Sequence, residues 1–190
     1  MSPRTRKQFE EIRNKKVELI KNVALKLFAE NGYHSTSISQ IAKNANISKG
    51  LIYNYFKSKE SLLHDIMFRG LKDFTKALIV KDINNIKKQE IIDFIDRSFN
   101  LLKANVDFYR LYFSLVQQGV VISLFEEEML EIFGEIFNTV AMYYAQKGEK
   151  KPYIKTRFLI ATIDGIAAHY LLDINNFPID EIRYLVIELI

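Results

Sequence analysis

"ISKGLIYNYFKSKESL", residues 47–62, decides how this 190-residue chain is read. Ser48 and Ser58 each stand where a helix can begin, since a serine there accepts a hydrogen bond from an otherwise orphaned helix amide. The first of the two helices, Lys49 to about Phe56, is then very short. Gly50 lies inside it, although glycine costs roughly 1 kcal/mol in a helix interior relative to alanine. Ile47, Ile52 and Phe56 give the helix one apolar side. Lys49, Gly50, Tyr53 and Asn54 are left on the other, with Tyr55 at the edge. That outer side has the chemistry to meet a polyanion. Lys49 and Lys59 supply charge. Ser48 and the first amides can donate to a phosphate. Asn54 can bond a base edge or a phosphate. Tyr53 and Tyr55 offer hydroxyls, and Gly50 lets the backbone come close. Each residue alone also suits a plain amphipathic surface helix; the joint pattern favours DNA.

Upstream, Leu19, Ile20, Val23, Ala24, Leu27 and Phe28 form an apolar stripe at helical period. The helix stops at "ENGY", where Gly32 can take the left-handed conformation and Tyr33 can fold back on the last turn. In "TSISQIAKNANISKG", Ser37 and Gln40 make a capping box. Ile38, Ile41 and Ala42 give that helix an apolar side, and it ends near Asn44 or Ala45. Asn46 supplies a turn residue that tolerates positive φ. Glu60 suits the first turn of a fourth helix, where a carboxylate meets the positive end of the helix dipole. Three helices, two of them short and joined by a tight turn, make a helix-turn-helix whose last helix enters the major groove.

Composition agrees with an all-α fold of one or two domains. Hydrophobic residues make up 48% and charged residues 26%, enough apolar matter for a core. There are 14 Phe and 10 Tyr against 7 Gly and 3 Pro, so helix breakers are few. The absence of cysteine excludes disulfides, thiolate metal sites and a cysteine nucleophile. No secretory signal and no membrane-length apolar run is visible, so a cytoplasmic location is expected. The net charge of +4 is uneven: residues 1–60 hold 12 Lys and Arg against 5 Asp and Glu, while the remainder is net acidic. Only the first part is therefore suited to a polyanion, although an ordinary solvated face has the same look.

Downstream, helices are expected at Ser58 to about Lys81, Lys87–Val106, Asp107–Gln118, Leu124–Gln146, Pro152–Asp173 and Asp180–Ile190, about nine in all. "KDINN", "QQGV", "QKGEKKP" and "INNFP" are the breaks between them.

The span from about Asn14 to Leu63 resembles the DNA-binding domain of the TetR family of bacterial transcription regulators. The resemblance rests on Leu27–Phe28, "NGY" at Asn31–Tyr33, "TSI" at Thr36–Ile38, Ile41–Ala42 and "SKGLIYNYFKSKESLL" from Ser48 to Leu63. It implies DNA contacts from Thr36, Ser37, Ser48, Lys49, Gly50, Tyr53, Asn54, Tyr55 and Lys59, with Thr36 and Lys59 on phosphates. One departure is Asn46, where the family usually has glycine. Ahead of Asn14, Arg4, Arg6, Lys7 and Arg13 would form either an arm along DNA or a disordered basic tail.

The resemblance further implies residues 1–58 as the DNA-binding domain and 59–190 as a ligand-binding and dimerisation domain entered through the fourth helix. It implies a homodimer paired through the last two helices, a palindromic double-stranded operator, a small-molecule effector and no cofactor. Interface candidates are Ala161, Gly165, Ala168, Ile182, Leu185, Val186 and Leu189. Pocket candidates are Phe94, Tyr109, Tyr112, Phe113, Phe133, Phe137 and Tyr144. The further aromatics Phe108 and Tyr143 belong to the same group, and all of these equally suit plain core. Asp164 is the polar oddity of its apolar helix; it would pair across a dimer, cap a cavity or meet a cationic ligand. His34, His64 and His169 are isolated and suggest no metal. An enzyme would need a nucleophile, paired carboxylates or a metal cluster, and "EEEMLE" at Glu126–Glu131 is the sole acidic cluster. A repressor released by its ligand is the leading reading; an activator, or a regulator without a small-molecule inducer, is the alternative.

Overall fold

The computed structural model describes residues 6–77, 79–118 and 120–190, and the side chains of these apart from 120–126, 128, 129 and 132. Among the described residues there are nine α-helices and no strand. They are α1 (Arg6–Asn31), α2 (Ile38–Asn44), α3 (Lys49–Tyr53), α4 (Lys59–Thr75), α5 (Lys88–Ala104), α6 (Val106–Gln117), α7 (Val120–Gln146), α8 (Pro152–Leu172) and α9 (Ile179–Glu188).

Local chemistry sets the first turns. Gly32 follows α1 at φ +83°, and its amide donates to the Phe28 carbonyl at 3.0 Å. Ser37 and Gln40 close the capping box of α2. Asn46 carries the turn at φ 51°, the left-handed region in which Asn is the best substitute for glycine. Ser48 caps α3 and Ser58 caps α4, where Ser61 returns the bond to the Ser58 amide.

Two cores meet along α6. Ile20, Ala24, Phe28, Ile41 and Ile52 join Leu62, Leu63, Ile66 and Met67 of α4 and Phe108, Leu111 and Leu115 of α6. The second core gathers α5, α7, α8 and α9 around Ile91, Ile95, Val140, Tyr143 and Leu159. Tyr109 packs against both. The first core thus runs through the boundary expected at residue 58, and α4 and α6 bind the two parts together.

The basic segment ahead of Asn14 is helical from Arg6 onward, continuous with α1, and residues 6–15 are all exposed; Arg4 lies outside the described residues. Tyr33–Glu60 and Lys21–Asp65 contacts, with the Glu18–Arg69 ion pair, run α1 and α4 antiparallel. The start of α1 therefore leaves at the end opposite the first turn of α4, away from α2 and α3. The fourth helix stops at Thr75 instead of reaching Lys81. The following segment is held by tertiary bonds: Arg97 donates to the Ala77 carbonyl, and Gln146 both donates to Ile83 and accepts from the Ile86 amide. In the acidic stretch, Glu127 and Glu131 are exposed on α7, while the side chains of Glu126 and Glu128 lie outside those described.

Candidate nucleic-acid interface and ligand pocket

The outer side of α3 is built as the sequence suggests. Ser48 Oγ accepts from the Leu51 amide at 3.2 Å, which leaves the hydroxyl's own hydrogen for another acceptor. Lys49 is exposed, its ammonium 5.8 Å from the centre of the Tyr53 ring. Tyr53 is 48% exposed and Asn54 ends the helix in solvent. Tyr55 is half-buried against the core. A Cβ built on Gly50 would meet nothing nearer than Ser48 Oγ at 4.0 Å. The protomer's own packing therefore does not require glycine there. Ser37 is exposed at the start of α2; its Oγ accepts from the Gln40 amide at 3.2 Å.

Thr36 and Lys59 sit differently from the phosphate contacts expected of them. Thr36 is 2% exposed, and its hydroxyl points inward to the Gly32 and Leu27 carbonyls at 2.9 and 3.2 Å. It closes the open end of α1, whose last carbonyls have no intrahelical partner. The Lys59 ammonium donates to the carbonyls of Tyr33 (3.0 Å), Thr36 (3.0 Å) and His34 (3.4 Å). It also lies 4.4 Å from the centre of the Tyr33 ring. An ammonium has three hydrogens, and all three are engaged within the chain. Both residues pin the 32–37 loop that sets the start of α2.

Tyr33 is the part of this network that residue type alone did not reveal. Its ring packs edge-on to Phe28 at 5.3 Å and to the exposed His34 at 5.1 Å, and its hydroxyl donates to Glu60 Oε1 at 3.2 Å. Burial, then the neighbouring Glu60 charge, pushes the phenol up to about 12. Glu60 is held below the usual carboxylate range, chiefly by its backbone hydrogen bond and by Ser58.

In the second core an apolar pocket lies between α4, α5, α6, α7 and α8. Its walls include Phe74, Phe99, Phe108, Tyr109, Tyr112, Phe113 and Phe133, with Ile163, Asp164 and Ala167 from α8. Its free volume is only about 50 Å³, so the rings nearly fill it. Six candidates come together there: Phe108, Tyr109, Tyr112, Phe113, Phe133 and Asp164. Phe94, Phe137 and Tyr144 do not line it. Phe94 is buried beside Phe74. Phe137 stacks on Tyr153 at 6.0 Å, on the outer side of α8. Tyr144 is buried in the second core, and among the described residues neither its hydroxyl nor that of Thr156 has a hydrogen-bond partner.

Burial, then the Asp164 charge, raises the Tyr109 phenol to about 12 and lifts Tyr112 further. Asp164 is itself raised by burial. The residue is exposed on α8 and also lines the pocket. Phe108 has a second contact: a Cβ built on Gly70 of α4 would fall 2.1 Å from its ring. Here glycine is needed, because the pocket wall rests directly on the α4 backbone.

The outer side of α8 is apolar and uncovered. Ile154, Phe158, Ala161, Gly165 and Leu172 are exposed along one side of the helix, and Tyr184 and Leu185 of α9 are exposed too. Of the interface candidates, Ala161, Gly165 and Leu185 are exposed and Ala168, Ile182 and Leu189 are half-buried. Val186 is 2% exposed and belongs to the protomer's own core. In an amphipathic α9 it faces inward, about 100° round the helix from Leu185.

Residues 20–66 match the family profile described as bacterial regulatory proteins, tetR family. Over 176 residues the chain is 26% identical to the fatty acid metabolism regulator protein of Bacillus subtilis strain 168, spanning 89% of this chain and 90% of that one. The uncharacterized HTH-type transcriptional regulator YuxN of the same organism is 51% identical over 67 residues, 35% of this chain but only 23% of YuxN. The crystal structure of FadR from Bacillus subtilis in complex with stearoyl-CoA has a TM-score of 0.68 at 25% identity, covering 90% of this chain and 96% of that one. The helix-turn-helix match, the shared fold over most of the chain and the outward chemistry of α3 identify a DNA-binding transcriptional regulator whose residues 20–66 form a TetR-family helix-turn-helix domain.

Proposed function

We propose that the protein acts in the cytoplasm as a homodimeric repressor, released from a palindromic operator when a small, largely apolar ligand opens the α4–α8 pocket. Two copies paired through α8 and α9 would place their α3 helices in successive major grooves, about 34–36 Å apart. The uncovered stripe from Ile154 to Leu172 supports the pairing, since a contiguous apolar patch on a monomer marks an interaction site. Ser37, Ser48, Lys49, Gly50, Tyr53 and Asn54 would face the duplex, with Tyr55 at the margin. Lys59 and Thr36 would shape the loop beside it.

The observation that carries the ligand response is the seat of Phe108 on Gly70. The pocket is nearly filled by its own rings, so a ligand has to spread them. Spreading moves Phe108, which bears on α4, and α4 leads to the DNA-binding helices. A ligand that binds only the spread state shifts the population toward a spacing that no longer fits the operator. A relative named for fatty acid metabolism and a similar fold holding stearoyl-CoA support a long-chain acyl thioester as a second reading of the ligand.

The test is Gly70→Ala. Its Cβ collides with the ring, so Phe108 and α4 must part even without ligand. The variant should lose about 1–3 kcal/mol of stability and bind operator more weakly at full occupancy of the folded dimer. Unchanged operator affinity in a folded variant would remove this coupling.

A further inference from the structure

The charge inside the pocket selects what can enter it. Aromatic faces form most of its wall, and among the described residues no Lys or Arg lines it. Asp164 is the one carboxylate among its described lining residues. Among the described residues no hydrogen bond and no ion pair reaches it, and burial raises its pKa. Tyr109 and Tyr112 lie close enough to feel its charge without bonding to it. An anion brought here would face a like charge beside apolar walls, and Coulomb repulsion grows as the surroundings become less polar. A cation would gain the carboxylate and the negative faces of the rings together, the combination that aromatic cages use for quaternary ammonium groups.

We propose that the effector carries a positive charge, a protonated amine or quaternary ammonium on an apolar body, held between Asp164 and the rings of Tyr109 and Tyr112. This rests on the reading of the pocket as the effector site and sets the chemical class of what it takes. The position of Asp164 suits capture from water. It meets both solvent and the pocket. The apolar body then follows between Phe113 and Phe133, and the rings spread.

Three probes separate the possibilities on the full-length protein: benzyltrimethylammonium, its uncharged isostere neopentylbenzene, and decanoyl-coenzyme A. Binding is read by calorimetry and release of operator by fluorescence anisotropy. The cation should bind and release DNA. Asp164→Asn should weaken it by at least about tenfold, a loss on the order of 1.4 kcal/mol, while neopentylbenzene changes little. Tyr112→Phe keeps the ring and should keep the cation; Tyr112→Leu should lose it. Equal cation affinity in wild type and Asp164→Asn overturns the assignment, as does a cation that fails to bind. If decanoyl-coenzyme A alone binds and releases DNA, the charge assignment falls and the effector pocket stands. If no probe binds and none releases DNA, both fall.

Discussion

The helix-turn-helix unit and the outer side of α8 handle their surfaces in opposite ways. In the first, apolar side chains are packed inward, and polar groups at the 32–37 loop have partners in the same chain. Thr36 closes α1, Lys59 ties three carbonyls, and Tyr33 meets Glu60. What remains outward on α3 is polar or bare: Ser48, Lys49, Gly50, Tyr53 and Asn54. On α8 the outward residues are apolar, with Leu172 83% exposed and Ile154 65% exposed. A helix with apolar residues all round is a buried helix, and none of the described residues buries one side of α8. The first surface is finished within one chain and offers charge and hydrogen bonds to a polyanion. The second is unfinished and offers only area, which suits another copy.

Substitutions that exchange these properties are the sharpest way to break the contrast. The largest effect is expected from Phe158→Glu, which sets a carboxylate where two apolar surfaces would close. An unpaired buried charge costs several kcal/mol or more. Light scattering should report monomers, and operator affinity should collapse with α3 untouched; a dimer of normal stability would show that this side is not the interface. Lys59→Met comes next. Losing hydrogen bonds to a charged group should cost about 1.5–3 kcal/mol in urea unfolding. The salt slope of DNA binding should stay as it was, whereas Lys49→Ala should flatten it by about 0.9. A flattened slope in Lys59→Met would return Lys59 to the phosphate backbone.

Gly50→Ala is smaller and of mixed sign. The folded chain has room for the methyl group, so stability should hold or rise by up to about 1 kcal/mol. Operator affinity should fall, because the added carbon stands where the duplex would lie. Equal affinity would leave Gly50 without a role at the interface. The mildest effect is alkaline. Tyr33 and Tyr109 ionise near 12 in the folded chain, against 10 when unfolded. A raised phenol contributes stability that is whole below pH 10 and is lost as pH rises toward 12. Tyrosinate absorbance should therefore lag in native protein and rise at once in urea. Coincident titrations in the two states would contradict the burial of these rings.

What the sequence disclosed follows the range of the interaction. Gly32, Ser37 with Gln40, Asn46, Ser48 and Ser58 act on amides within a few residues, and each sits as its type and spacing suggest. Thr36 and Lys59 were harder, because a hydroxyl or ammonium serves a carbonyl as well as a phosphate, and the partners of Lys59 lie 23–26 residues away. The early end of α4 at Thr75 has no Gly or Pro to announce it. Phe74 and Phe113 line the pocket while Phe94 and Phe137 do not, a distinction made by how α4, α5 and α7 cross. Val186 and Leu185 differ in exposure because they sit about 100° apart round α9, a rotation that an apolar sequence at both positions leaves open.

The central claim, a dimer presenting two α3 helices to DNA, is tested most directly by selecting bound duplexes from a random pool with the full-length protein. Enrichment of one inverted repeat with half-site centres about one helical turn apart, abolished by Tyr53→Ala in a folded dimer, is the predicted result. No enriched sequence, or an enriched site without inverted symmetry, would contradict it.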